Sequence, residues 1–472
     1  AYDIRLSLVG SEMCIRDRDI NTSLGNAADP IDADQKLQED ALMSYVASVN
    51  YSYDDKYYAS FSFRRDGSSR LSPDTRWGNF WSLSASWRLS QERFMQPLKS
   101  VLSDLKLRAS YGVNGNLPSS YYGYQSTYTT GAFYSGKPSP WESTLGNEEL
   151  TWEKNYALNL GLDIGLFSRV NVSLDWYTRT TKDLLMSKQL NSISGFSSLL
   201  TNVGQMRNTG VELEVRSNNI KTKDFSWTTA FNLSHNKNKI LKLADLPWFV
   251  DGRYVRKEGY PFNTIYLREY AGVDPETGSA LYYDNQQDEN GNYTKNKVTD
   301  PGQASPIPLK DITPTISGGF MNTFNYKFID LSFNLSYSFG GYSYDNASYI
   351  LQDDGYSVIS NKSTEQRRRW QKPGDITDVP RFVYGNKKGG NYNSSRAIHS
   401  TDHIRLKSLI LGLNAPKAWL QKLGIGNARI YFSGTNLLTW AAYDQYDPEM
   451  SGVVGFYTPP LKTYAFGLEL KF

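Results

Sequence analysis

Several things are scarce in this sequence. It has one cysteine, three histidines and no apolar run of the length a membrane-crossing helix needs. A single cysteine excludes a disulfide framework within the chain. Lys and Arg number 51 against 48 Asp and Glu, so no basic surplus points to nucleic acid. Neither a GxSxG elbow, HExxH, CxxC nor a phosphate-binding loop occurs. The sequence therefore predicts no enzyme, no cofactor and no resident metal.

What is abundant is aromatic and alternating. Aromatics make up 14% of the chain, with 34 Tyr and 11 Trp. At the end of the sequence, Tyr464, Phe466, Leu468, Leu470 and Phe472 share one parity, and Thr463, Ala465, Gly467, Glu469 and Lys471 the other. Successive side chains of a strand point to opposite faces, so this stretch has one apolar and one polar wall. A transmembrane β-barrel needs that pattern, with lipid outside and water inside.

The same period of two recurs along the chain. Tyr57, Ala59, Phe61 and Phe63 oppose Ser60, Ser62 and Arg64. Trp81, Leu83, Ala85 and Trp87 oppose Ser82, Ser84 and Ser86. Val170, Val172, Leu174 and Trp176 oppose Asn171, Ser173 and Asp175. Within these segments nearly every charge sits on the polar parity. Connector lengths alternate too. If Phe472 marks the periplasmic end, the long connectors 114–151, 185–205, 340–396 and 439–461 fall outside. The short ones, at Asp54-Asp55, Phe167-Ser168-Arg169 and Tyr326-Lys327-Phe328, fall inside, as bacterial barrels require.

The fold class predicted is all-β: an antiparallel up-and-down transmembrane barrel of roughly thirteen to fifteen strands in this chain. Residues 262–284 supply either two of those strands or a hairpin within an outer loop. In 403–413 the apolar parity switches from Ile404 and Leu406 to Leu409, Leu411 and Leu413, which predicts a β-bulge. Residues 415–426 form a longer inside connector with room for a short amphipathic helix. Residues 1–18, including Cys14, resemble a translated adapter string and are set aside from the fold. Residues 19–40 read as a loop, and 41–472 as barrel. An odd strand count predicts an incomplete barrel with an unpaired edge near 41–53.

A family is recognisable in these blocks. Tyr53-Asp-Asp-Lys-Tyr-Tyr58, Phe63-Arg-Arg-Asp-Gly-Ser-Ser-Arg70 and Arg76-Trp-Gly-Asn-Phe-Trp81 come first. Trp152-Glu-Lys154, Thr181-Lys-Asp-Leu-Leu185 and Asn202-Val-Gly-Gln-Met-Arg-Asn-Thr-Gly-Val-Glu-Leu213 follow. Asp378-Val-Pro-Arg381, Ile404-Arg-Leu-Lys407, Gly434-Thr-Asn-Leu-Leu-Thr-Trp440 and Tyr446-Asp-Pro-Glu449 complete the set. In this order they resemble the SusC/RagA-type TonB-dependent outer-membrane transporters. The resemblance implies a 22-stranded barrel, of which this chain is the C-terminal part, with the N-terminal plug absent. It also implies a SusD-type surface lipoprotein as lid, energy from the TonB complex through the missing N-terminal part, and import of oligosaccharides or peptides. A passive porin-like or structural barrel, or a secreted β-rich glycan-active protein, is the alternative that alternation alone leaves open.

The candidate substrate contacts are outer-loop aromatics: Tyr121, Tyr122, Tyr124, Tyr128, Tyr134 and Trp370. Flat aromatic faces stack on sugar rings and phenols add directional bonds; the same rings could instead pack loop against loop. Tyr464, Phe466 and Phe472 form a candidate membrane-assembly signal, by resemblance to the terminal strand of outer-membrane barrels. His399 and His403, four apart on one expected strand face, and the Asp284–Asn292 stretch are the sites considered and set aside for metal.

Overall fold

Thirteen strands form one antiparallel sheet in sequence order in the computed structural model. They are β1 (Leu42–Tyr53), β2 (Tyr57–Ser68), β3 (Trp77–Arg88), β4 (Leu102–Asn116), β5 (Glu153–Leu166), β6 (Val170–Lys182), β7 (Gln205–Lys221), β8 (Phe225–Lys242), β9 (Ile316–Tyr326), β10 (Ile329–Phe339), β11 (His403–Asn414), β12 (Asn427–Ala441) and β13 (Thr463–Lys471). The structure describes residues 38–243, 246–386, 393–416, 420 and 424–472, without the side chains of 130–134, 138 and 192. The 1–18 segment with Cys14, most of the 19–40 loop, and residues 417–419 and 421–423 of the expected 415–426 helix segment thus lie outside the described residues.

Cross-strand register keeps the two parities on separate faces. Phe61, Leu83 and Tyr111 line up on one face, and Leu162, Leu174 and Leu213 continue it. On the other face Ser60, Ser84, Ser110 and Asn159 form one row, and Arg108, Gly161, Asp175 and Glu212 another. A one-residue slip of any strand would exchange the faces, so the register is strongly specified. The apolar face stays uncovered: Leu83 is 53% exposed and Leu174 40%. Apolar exposure over many neighbouring strands calls for a covering phase, and lipid supplies one.

One end of the sheet carries tight turns. Asp54, Asp55, Phe167, Ser168 and Lys327 all take positive φ there, which matches the turn twist to that of the strands. The other end carries the long connectors: 117–152, 183–204, 243–315, 340–402 and 442–462. The alternative of barrel strands within 262–284 is excluded. Thr264–Leu267, Tyr270–Val273 and Ala280–Tyr283 pair in small sheets apart from the wall. The bulge is present: Leu335 faces Leu406 and Asn334 faces Ser408, leaving Lys407 extra. Among the described residues β1 pairs only with β2 and β13 only with β12, so the barrel does not close.

The connectors differ in construction. Two fold back on themselves as hairpins, Thr127–Tyr134 with Lys137–Thr144 and Leu185–Gln189 with Ser198–Asn202. The last three are woven together. Tyr342–Asp345 pairs antiparallel with Ile398–Ser400 of its own connector and parallel with Gly452–Val454 of the next. Ile265, Leu267, Tyr344 and Ala397, drawn from two connectors, bury one another in a common core.

Candidate functional site

The polar face is wired with ion pairs. Arg108 on β4 donates from Nε to Asp163 on β5 at 2.8 Å and from Nη2 to Asp175 on β6 at 3.0 Å. Gly161 leaves the space this triad crosses; a Cβ there would meet Asp175 and the Arg108 guanidinium. Arg429 on β12 holds Asp330 on β10 at 2.6 Å. Such groups suit a wet interior; on the apolar side each charge would cost about 2–4 kcal/mol near the bilayer midplane.

At the rim, Arg405 on β11 is 3% exposed within its side chain and donates to Asp447 at 2.7 Å and to Glu449 at 3.0 Å. Lys407, the bulged residue, reaches the same Glu449 at 2.6 Å. The Ile404–Lys407 and Tyr446–Glu449 blocks are thus two halves of one clasp that ties the 442–462 connector to the wall. Sequence reading found both blocks without their partnership; charges 42 and 44 residues apart carry no local signal. Asn202 does similar work for the earlier connectors, donating to the Thr151 and Asp183 carbonyls at 2.9 Å each and accepting from Thr151 N at 2.8 Å. Trp152, buried with Leu71, Phe80, Val113 and Leu150, donates from Nε1 to the Arg76 carbonyl at 2.8 Å. Gly78 and Gly115 are bare where Phe80 passes.

The six candidate aromatics are not one platform. Tyr121 lies beneath the Arg70 guanidinium, 4.2 Å from its ring centre. Tyr122 is 38% exposed, and its hydroxyl accepts from Glu39 N at 3.1 Å. Tyr124 packs against the Trp152 cluster. Trp370 donates to the Pro275 carbonyl at 2.8 Å and covers Gly278, joining connectors 340–402 and 243–315. Tyr128, on the hairpin, is 65% exposed. Tyr134 pairs with Lys137 through its backbone, and its side chain lies outside the described residues. Tyr464 and Phe466 on β13 are 62% and 82% exposed, and Phe472 just beyond it 87%.

His399 and His403 do not share a face. The chain bends between them, where Thr401 N bonds the Gly341 carbonyl and Asp402 accepts from Gly340 N. That places His399 in the small outer sheet and His403 at the start of β11. His399 stacks face to face on Tyr443, ring centres 3.7 Å apart. Burial holds its pKa below the ordinary imidazole value, partly opposed by Asp345. The Asp284–Asn292 carboxylates serve the loop itself: Asp284 accepts from Thr294 and Asn296, and Asp288 from the backbone of Asn290 and Asn292. Among the described residues no three metal-ligating side chains cluster.

Comparison with known proteins agrees with this geometry. Residues 9–359 match the family model "TonB dependent receptor-like, beta-barrel". The chain is 33% identical to TonB-dependent receptor P3 of Formosa agariphila, covering 92% of the chain and 46% of that protein. It is 31% identical to TonB-dependent receptor SusC of Bacteroides thetaiotaomicron, covering 93% and 45% respectively. A structure of the RagAB peptide transporter superposes with a TM-score of 0.85 at 30% identity, over 96% of this chain and 50% of that one. The chain therefore spans about half the length of the relatives it matches. With an apolar outer face, a charged inner face and among the described residues no helix long and apolar enough to cross a membrane, it belongs to the TonB-dependent receptor family and forms part of that family's outer-membrane β-barrel.

Proposed function

We propose that this chain supplies barrel wall and outer cap to an energised importer of oligosaccharides or peptides, working with a SusD-type surface lipoprotein and the TonB complex. The observation that carries the reading is the superposition on the RagAB peptide transporter, which takes in 96% of this chain at 30% identity. The ion-paired interior gives a solute a polar surface. The outer cap gives a lipoprotein lid a formed platform to sit on rather than separate loops. Of the candidate aromatics, Tyr122 and Tyr128 have rings free to meet a solute, while Tyr121, Tyr124 and Trp370 support the loops. In the same reading Tyr464, Phe466 and Phe472 present the aromatic row that the insertion machinery reads.

Uptake of labelled oligosaccharide and peptide mixtures by cells carrying the complete receptor tests this. Import should stop when the proton gradient is collapsed or the lipoprotein is removed. Import that continues without either would make the barrel a passive pore.

A further inference from the structure

The 243–315 connector holds a cleft that the wall and the loop-supporting rings do not use. Its volume is about 470 Å³, within the range of small-ligand sites. Trp248, 45% exposed, forms one side, with its indole against Tyr266 at 5.9 Å between ring centres. Tyr293 and Gln287, joined by a backbone bridge, form the other. Pro306 and Pro308 stiffen the floor.

The polar groups here are unspent. Among the described residues, the Trp248 indole N–H, the Tyr266 and Tyr293 hydroxyls and the Gln287 amide make no hydrogen bond within the chain, whereas the neighbouring Gln286 amide donates to Ser305 at 3.2 Å. Among the described residues no carboxylate lines the cleft, and Lys257 is the one charged side chain that does. Phenols and a carboxamide both donate and accept, which matches hydroxyl groups that do the same. An exposed indole offers an apolar face bordered by a donor, which matches a sugar ring with its C–H face and its equatorial hydroxyls.

We propose that this cleft is a carbohydrate-binding subsite, taking one or two sugar rings of a glycan chain with Trp248 as the stacking platform. It concerns binding at the cell surface and stands apart from the import reading.

The test is calorimetric titration of the complete receptor in detergent with glucose-, mannose- and uronate-based hexasaccharides, alongside pentapeptides. One saccharide class should bind. Trp248→Ala should weaken it about tenfold or more, and Gln287→Ala by about threefold. Trp248→Phe, which keeps a flat ring and loses the N–H, should fall between wild type and Trp248→Ala. Trp141→Ala, which removes a 58% exposed indole on a different connector, should change nothing. Heat-modifiable migration confirms that each variant folds. The proposal is overturned if no saccharide binds, if Trp141→Ala weakens binding as much as Trp248→Ala, or if peptides alone bind in a Trp248-dependent way. Uptake measured on the same receptor keeps the readings apart: Trp248-dependent saccharide binding without energised import by the wild-type receptor counts against the importer alone, and energised import with saccharide binding unchanged by Trp248→Ala counts against the subsite alone.

Discussion

The connectors on the two sides of β8 are built by different rules. Those at 117–152 and 183–204 each close on themselves as a hairpin, and their shared core gathers at the base around Trp152 and Leu150. Beyond that base the first hairpin stands clear, with Tyr128 65% and Trp141 58% exposed. Those at 243–315, 340–402 and 442–462 exchange strands and side chains. Arg253 on the first sits over the Tyr344 ring of the second at 4.5 Å, and Tyr443 on the third donates to Asp345 on the second at 3.0 Å. The separation is not complete, because Leu184 and Met186 of the second hairpin connector share a buried core with Leu243, against which Phe249 and Phe262 of the 243–315 connector pack; the outer part of the first hairpin is the piece that can move alone. Loops that share a core must open together, because stability is distributed in cooperative units set by buried contacts.

The sharpest way to break the woven group is at its clasp. Arg405→Ala leaves Asp447, itself 7% exposed in its side chain, without its cation. Removing one partner of a buried pair should cost about 3–5 kcal/mol. Protease sensitivity of the 442–462 connector should rise while the 117–152 connector is unchanged. Equal sensitivity of both would mean the groups are not separate units.

Trp152→Ala is the mirror experiment at the base of the hairpin group. Loss of a fully packed indole should cost about 3–5 kcal/mol, at the upper end if the Arg76 carbonyl is left unpaired. The double variant with Arg405→Ala should be additive within about 0.5 kcal/mol, as distant sites without shared partners are. A larger coupling energy in denaturant titrations would join the two groups.

Acidity should distinguish them more gently. The pKa of His399 is depressed by burial, so over the window below the ordinary imidazole value the unfolded connector binds more protons than the folded one. Stability of the woven group is therefore complete at neutral pH and above and falls as pH drops through that window. Asp345, whose carboxylate also takes bonds from Ser348 N and Tyr443, favours the charged imidazole and limits the fall. Hydrogen-exchange protection factors at Tyr342–Asp345, corrected for the intrinsic exchange rate at each pH, should fall between about pH 7.5 and 5.5, and His399→Phe should abolish the change. The hairpin strands should show no such trend.

Least affected should be the wall when the hairpin tip is trimmed. Deleting residues 130–138 and rejoining with Asn-Gly should alter the melting behaviour of the barrel by no more than about 0.5 kcal/mol, the range of surface changes away from packed features. A clear loss would show that the tip is anchored.

The wall was legible because each strand repeats one decision. Leu83, Leu160 and Leu174 alternate with Ser84, Gly161 and Asp175, and the register follows from burying neither set wrongly. Even the bulge at Lys407 was written as a change of parity. The woven cap was not legible. Its strands run two to five residues, too short to show a period, and their partners lie far along the same connector or on another one. Gly452–Val454 pairs parallel with a segment more than a hundred residues earlier, and nothing local announces it. The site residues fared likewise. Counting tyrosines picked out Tyr121 and Tyr124, whose rings carry Arg70 and the Trp152 cluster. It passed over Trp248 and Tyr266, which are spaced along the chain and meet only in the fold.

The parallel contact between Tyr342–Asp345 and Gly452–Val454 also has a mechanical meaning. Its register sets Ser343, Tyr344 and Asp345 against Gly452, Val453 and Val454. A load directed along these strands meets every rung at the same moment, whereas a load across them parts one rung at a time. A partner that tugs the 442–462 connector along the strand axis would thus drag the 340–402 connector with it. One that lifts it sideways would unzip the pair. The cap is stiff in one direction and yielding in another, so the angle of pull, more than its strength, would decide whether it travels as one piece.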